Sequence, residues 1–334
     1  MVAAEELLPP SPPSLSSSSP LILGLQPSAL VDHIVRVDWS LLAQIPGERG
    51  GSQPVAIEEL EHILNELKTH ILPSPDEPSP LRTIAGGSVA NTLRGLATGF
   101  GISCGIIGAC GDDEQGQLFV QNMNYSKVDL SRLRMKKGTT GQCVCLVEAD
   151  GNRTMRPCLS SAVRLQHYEL TREDVRGSKM VRNCRSQLLE LLESGDIDLC
   201  FANEDEAAAL VRDEEEVNPD VALEYLAKHC RWAVVTLGRD GCIVKHGKQI
   251  VRVPAIGETH ATDATGAGDL FASGFLYGLV KGLPLEDCCR VGSCSGGAVI
   301  RALGGEVQPE NWQWMYKQMQ IKDLTTPDLC KTYS

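Results

Sequence analysis

The run Ala261-Thr262-Asp263-Ala264-Thr265-Gly266-Ala267-Gly268-Asp269 leads directly into the helical spacing of residues 270–280. A glycine-rich turn feeding a helix leaves backbone N–H groups without intrahelical partners, with the positive end of the helix dipole behind them. That is an anion site suited to phosphate. It is not a Walker A loop, because no Lys-Ser/Thr follows the glycines, and the nearest look-alike, residues 111–116, is followed by Gln117 and Leu118. A dinucleotide fingerprint is excluded as well, since GxGxxG would need glycine at Phe271. Asp269 sets a carboxylate beside this anion site. A carboxylate there repels phosphate unless a proton moves between them, which points to a general base for a hydroxyl attacking phosphorus. Spacing alone equally permits a helix-capping aspartate.

Earlier in the chain Gly86-Gly87-Ser88-Val89-Ala90-Asn91 opens another helix. Alone, Gly86-Gly87 reads as an ordinary turn. Together the two segments resemble the ribokinase-like (PfkB) carbohydrate kinase family, over residues 21–310. The resemblance implies that Gly86, Gly87 and Asn91 bind substrate hydroxyls, that Gly266, Ala267 and Gly268 form the anion hole, and that Asp269 is the base. Asp32, after the first strand, resembles the family's aspartate for substrate hydroxyls; otherwise it is a loop acid near Asp38. Asn203-Glu204-Asp205-Glu206 matches the family's Asn-x-x-Glu, which implies that Asn203 and Glu206 organise Mg²⁺ largely through water. Without that resemblance, acids opening a helix simply complement its dipole. Thr236, Gly238 and Gly241 resemble the loop that passes the nucleotide, and residues 292–304, with Gly297, the helix and turn that close the adenine pocket. Asp263 matches a position that holds a monovalent cation, K⁺, in some members. The implied activity is ATP-dependent phosphorylation of an alcohol group on a sugar or nucleoside. Pro27 after the first strand, the Asp32/Asp38 spacing and the Ile300-Arg301-Ala302-Leu303-Gly304 segment lean toward the adenosine kinase branch, although aromatics at 4% leave few partners for stacking a base.

The elements that must position these residues alternate. Residues 21–25, 104–109, 143–148, 197–202 and 232–237 read as strands, and 58–67, 89–98, 115–123, 221–229 and 270–280 as helices. Such alternation predicts an α/β fold with a largely parallel sheet, and the resemblance implies the ribokinase-like three-layer form of that core. Two extended runs flank Ala149-Asp150-Gly151-Asn152, a hairpin signal, so residues 33–55 and 138–157 are expected to form a small β lid. A homodimer paired through that lid is left open. Residues 1–20 are a Pro/Ser-rich tail, 73–80 a surface loop, 21–320 the kinase domain and 321–334 a C-terminal tail.

Composition narrows the partners. The 43 acidic residues outnumber 31 Lys and Arg, giving a net charge of −12 with no long basic block, which argues against nucleic acid. No apolar run approaches the ~20 residues that span a bilayer, so no membrane partner is expected. Thirteen cysteines without a CxxC pair read as reduced, buried thiols of a cytoplasmic protein. A plastid transit peptide is the lesser alternative, because the Ser-rich start carries Glu5 and Glu6 and no Arg.

Between residues 157 and 197 the alternation fails. Residues 166–174 and 181–193 read as helix around a Gly177-Ser178-Lys179 break, with no β-rich run. The resemblance implies a strand-helix-strand passage here, so a deletion joined at Lys179-Met180 is expected. The motifs would persist in a less stable chain of impaired activity. A non-catalytic ligand-binding or regulatory role is therefore the alternative function.

Overall fold

The computed structural model describes residues 21–45, 47–70, 81–175, 179–182, 192–211, 218–257 and 261–328. The expected N-terminal tail and the Pro-rich loop lie outside them. Among the described residues, twelve strands form three four-stranded sheets. The first runs β5 (Leu133–Lys136), β4 (Cys104–Gly111), β1 (Ile22–Ser28), β8 (Lys179–Arg182), all parallel. The second runs β12 (Gln249–Val253), β11 (Cys242–His246), β10 (Trp232–Thr236), β9 (Leu199–Asn203), with β9 and β10 parallel and the rest antiparallel. The third runs β3 (Leu81–Gly86), β2 (Leu30–Arg36), β6 (Gly141–Val147), β7 (Arg153–Cys158).

Helices α1 (Trp39–Leu42), α2 (Ile57–His70), α3 (Ser88–Arg94), α4 (Glu114–Tyr125), α5 (Arg172–Val175), α6 (Glu204–Leu210), α7 (Pro219–His229), α8 (Ala267–Val280), α9 (Leu285–Val299) and α10 (Pro309–Ile321) complete the described elements. The second sheet has the expected three layers. Ala233, Val235 and Ile243 pack against Ala222, Leu223 and Leu226 of α7 on one face. Val234, Cys242 and Val244 pack against Phe271 and Phe275 of α8 and Cys288 and Cys289 of α9 on the other. The largest apolar cluster joins β1 and β4 to α3, α8, α9 and α10 through residues such as Ile106, Leu93, Leu270, Val291 and Met315. Packing continues past the expected domain end: Leu324 is buried, and Tyr277 Oη donates to the Thr325 carbonyl at 3.3 Å.

The third sheet is the lid, and it is larger than the sequence suggests. β6 and β7 form the expected hairpin, while β3 joins it as an antiparallel partner of β2. Leu81–Gly86 was hidden as a strand because it runs straight into the Gly-Gly turn. The lid's outer face is covered by this chain's own helices: Val35, Val144 and Leu146 pack against Leu41, Leu60, Ile63 and Leu67.

The segment after β7 corrects the expected reading. In place of a helix over 166–174 there is a 3₁₀ turn, His167–Glu169, and the four-residue α5. β8 then forms where no strand was expected, with Leu23 opposite Met180 in parallel register. Four residues carry too little pattern to announce a strand; the open edge of β1 supplies the partner that makes one. Residues 183–191, within the second expected helix, lie outside the described residues. β8 and β9 each end a different sheet, and on one face of the first sheet Leu23, Leu25, Ile107 and Ala109 are buried in a cluster with Val163 and Leu165.

Candidate active site

β1 and β2 are almost one strand, interrupted at Ala29, where the chain leaves the core sheet for the lid sheet. That crossing places Asp32 at the seam, opposite Ile84 of β3 and Cys143 of β6. Its side chain is 6% exposed. Burial drives its pKa up to about 7; Arg94 opposes this, and the charges of Asp269 and Asp263 reinforce it. Gly86 is required beside it, because a Cβ there would stand 2.2 Å from the Asp32 carboxyl carbon. Gly87 adopts φ +92°. Gln26 holds this turn: Nε2 donates to the Gly86 carbonyl at 3.1 Å, and Oε1 accepts from Ala90 N–H at 3.1 Å.

Asp269 stands in the first turn of α8, after Gly266 in the left-handed conformation at φ +78°. A Cβ on Gly266 would lie 2.8 Å from Gly305 Cα, so the close approach excludes a side chain. Asn91 Nδ2 donates to Asp269 Oδ2 at 2.9 Å. The carboxyl is half-buried by accessible surface yet densely surrounded. Burial therefore raises its pKa, against hydrogen bonds from Asn91 and Ser88 and the charges of Arg153 and Arg94. Ala267 N–H donates back to the Ala264 carbonyl at 3.2 Å. Among the described residues the N–H groups of Gly268 and Asp269 have no backbone partner, and helix geometry points them out of the N-terminal end.

The residues expected on the nucleotide side lie at the second sheet and α9. Asn203 ends β9 directly opposite Thr236, the last residue of β10. Asn203 Oδ1 accepts from Glu206 N–H at 2.8 Å, and Glu206 Oε2 accepts from Asn203 N–H at 3.0 Å, a reciprocal cap of α6. Gly238 and Gly241 turn the chain at φ +54° and +96°, and a Cβ on Gly241 would meet the Val253 carbonyl at 2.0 Å. Gly297 lets α9 close on the Ile256 carbonyl, 2.1 Å from where its Cβ would be. One residue earlier, Gly296 passes the start of α8, with a Cβ position 3.1 Å from the Ala267 carbonyl. Asp263 is completely buried and accepts from Thr265 N–H at 2.8 Å, Thr265 Oγ1 at 2.7 Å and Gly304 N–H at 2.8 Å. These bonds brace the turn before α8 against residue 304, and the geometry adds nothing for a K⁺ ligand.

Three arginines escaped the sequence reading. Arg94 is buried on α3 and donates to the Ala85 carbonyl at 2.7 Å, Asn122 Oδ1 at 2.6 Å and Asn91 Oδ1 at 2.5 Å. It is the cation beneath Asp32 and Asp269. A charge three residues after Asn91 in an otherwise uncharged helix was the available signal. Arg153, at the start of β7, donates to the Ala264 carbonyl at 2.7 Å and so rests the lid hairpin on the glycine-rich turn. Arg82 of β3 ties the lid to the Leu303 carbonyl at 2.6 Å and to Glu306 at 2.5 Å. Neither has a local sequence mark.

The pfkB family carbohydrate kinase profile matches residues 55–182 and 160–311. The chain belongs to the pfkB family of carbohydrate kinases. Its two matched pieces overlap across 160–182, the stretch containing Lys179 and Met180. An adenosine kinase structure from Sinorhizobium meliloti is 28% identical, with a TM-score of 0.75 over 86% of this chain and 95% of that one. A probable sugar kinase from Rhizobium etli is 25% identical, with a TM-score of 0.74 over 92% and 99%. A ribokinase from Lactococcus lactis is 26% identical across 67% of this chain and 81% of its own. These relatives fit the ribokinase-like α/β fold and the lean toward adenosine kinases. No described helix is long and apolar enough to cross a membrane.

Proposed function

We propose that this pfkB-family protein phosphorylates an alcohol group of a sugar or nucleoside, with ATP as donor and Asp269 as general base. The observation that carries this reading is the convergence of Asp32 and Asp269 on one buried setting at the seam between lid and core: the charge of Asp269 raises the Asp32 pKa, and Arg94 lowers both. Asp32, with Gly86, Gly87 and Asn91 around it, accepts the substrate hydroxyls; a carboxylate can accept two at once. Asp269 takes the proton of the attacking hydroxyl as the bond to phosphorus forms. Asn91, by its 2.9 Å bond, and Ser88 hold that carboxylate in place. The N-terminal turn of α8, Gly266 to Gly268, receives the charge that develops on the transferred phosphoryl group. Ala267 N–H joins only if its bond to Ala264 is released.

Thr236, Gly238, Gly241 and Gly297 line the proposed path of the nucleotide. The oxygen donors of Asn203 and Glu206, at the strand end beside Thr236, suit a hard dication held through water. Mg²⁺ bound there would neutralise phosphate oxygens. The expectation of K⁺ at Asp263 is not carried into this reading.

The test is ADP release by the 334-residue chain with a panel of sugars and nucleosides. ATP turnover dependent on one of these alcohols, at a rate well above that without acceptor, is expected. Absence of acceptor-dependent turnover across the panel contradicts it. A second reading, a ligand-binding member impaired in catalysis, is supported by the first and second sheets standing separate among the described residues and by the family match in two overlapping pieces. Restoring a strand-helix-strand passage at residues 179–180 separates the two: activity gained only on restoration favours the second.

A further inference from the structure

Beneath the proposed hydroxyl site, Asp32 of β2 faces Cys143 of β6 across the parallel ladder, and Cys145, two residues on, presents its thiol to the same face. One carboxylate oxygen and the two sulfurs all lie within 4.8 Å of one another. The Cys143 and Cys145 sulfurs are 3.8 Å apart. A zinc ion with Zn–S bonds of ~2.3 Å and tetrahedral angles separates two thiolates by about 3.8 Å, so the sulfurs already stand at the spacing the metal requires. Two thiolates and one carboxylate form a mixed soft and hard donor set that favours Zn²⁺ or Co²⁺ over Mg²⁺.

We infer that Asp32, Cys143 and Cys145 form a binding site for a thiophilic divalent cation. Three protein ligands leave a fourth position for water, as in open zinc sites. Capture replaces two S–H protons with the metal, Zn²⁺ plus two thiols giving a bis-thiolate complex and two H⁺, with a further proton released from whatever fraction of Asp32 is protonated. No oxidant or reductant is needed. Because the metal takes the carboxylate oxygen assigned above to substrate hydroxyls, it should exclude the alcohol; this second half rests on the proposed function, and the first does not.

The experiment is titration of the reduced, full-length chain with Co²⁺, then with Zn²⁺ in competition. The expected result is thiolate-to-cobalt charge-transfer absorption saturating at one equivalent per chain, with proton release, and its displacement by Zn²⁺. The double variant Cys143→Ala, Cys145→Ala should lose the band, and Asp32→Asn should weaken affinity by ~10-fold or more. Asp32→Asn alone decides the matter if the double variant does not fold. Absence of the band in the wild type, or its survival at unchanged affinity in either variant, overturns the site. Where the band forms, Zn²⁺ should raise KM for the alcohol and leave kcat unchanged. Tight binding without that effect on KM would leave the metal site standing and remove Asp32 from substrate binding.

Discussion

At the scale of the residue, Asp32 and Asp269 make the same demand on their shared surroundings. Each is desolvated, and Arg94 is the buried cation that limits the repulsion of the pair. With Asp32 titrating near 7, its ionised fraction rises between pH 6 and 8. KM for the alcohol is therefore expected to fall over that range, and Asp32→Asn to raise KM ~10-fold or more while flattening its pH dependence. Steady-state kinetics across that range checks this; an unchanged KM in Asp32→Asn contradicts the role. The same shift has a stability consequence of opposite sense. A carboxyl with a raised folded-state pKa binds more protons folded than unfolded between about pH 4 and 7, so its contribution to stability falls as pH rises through that window. Thermal unfolding of the ligand-free protein should show a smaller loss of Tm over that range in Asp32→Asn than in the wild type.

At the scale of the element, the turns are specified by close contacts more than by propensity. Gly241→Ala would force a Cβ toward the Val253 carbonyl at φ +96°. The expected cost is about 2 kcal/mol or more, read as a Tm several degrees lower. A variant as stable as the wild type would show that the β10–β11 turn relaxes freely. The same distinction explains what the sequence disclosed. The glycine-rich turn into α8, the Gly-Gly turn into α3, the main strands and the β6–β7 hairpin were legible because local chemistry dictates them. β3 and β8 were not, since each becomes a strand by pairing with β2 or β1. Arg82 and Arg153 were illegible for a related reason: their partners lie on other elements, and Arg82 reaches across more than 200 residues of sequence; Arg94, bonded in part to Asn91 on its own helix, was marked only by being the lone charge there. The Asn203–Glu206 pair is visible in sequence, but its reciprocal cap explains the spacing without a metal, so the motif alone could not decide its role.

At the scale of the whole molecule, the lid closes on the core through Arg82 and Arg153 while its outer face is covered by α1 and α2. Pairing through that face would require these helices to leave, exposing Leu41, Leu60, Ile63 and Leu67. Sedimentation is therefore expected to give a 36.1 kDa monomer; a dimer held through the lid would contradict this. In the core, β8 and β9 each end a separate sheet among the described residues. Unpaired sheet edges reduce stability, so introducing the strand-helix-strand passage that the family resemblance implies should raise Tm without moving the residues around Asp32 and Asp269. The central claim remains that this chain transfers phosphate with Asp269 as the base. The most direct measurement is ³¹P NMR of product formed from ATP and the preferred alcohol, comparing the wild type with Asp269→Asn at equal ATP occupancy. The account predicts a phosphate ester from the wild type and a rate lower by ~100-fold or more in the variant; near-normal ester formation by Asp269→Asn would contradict it.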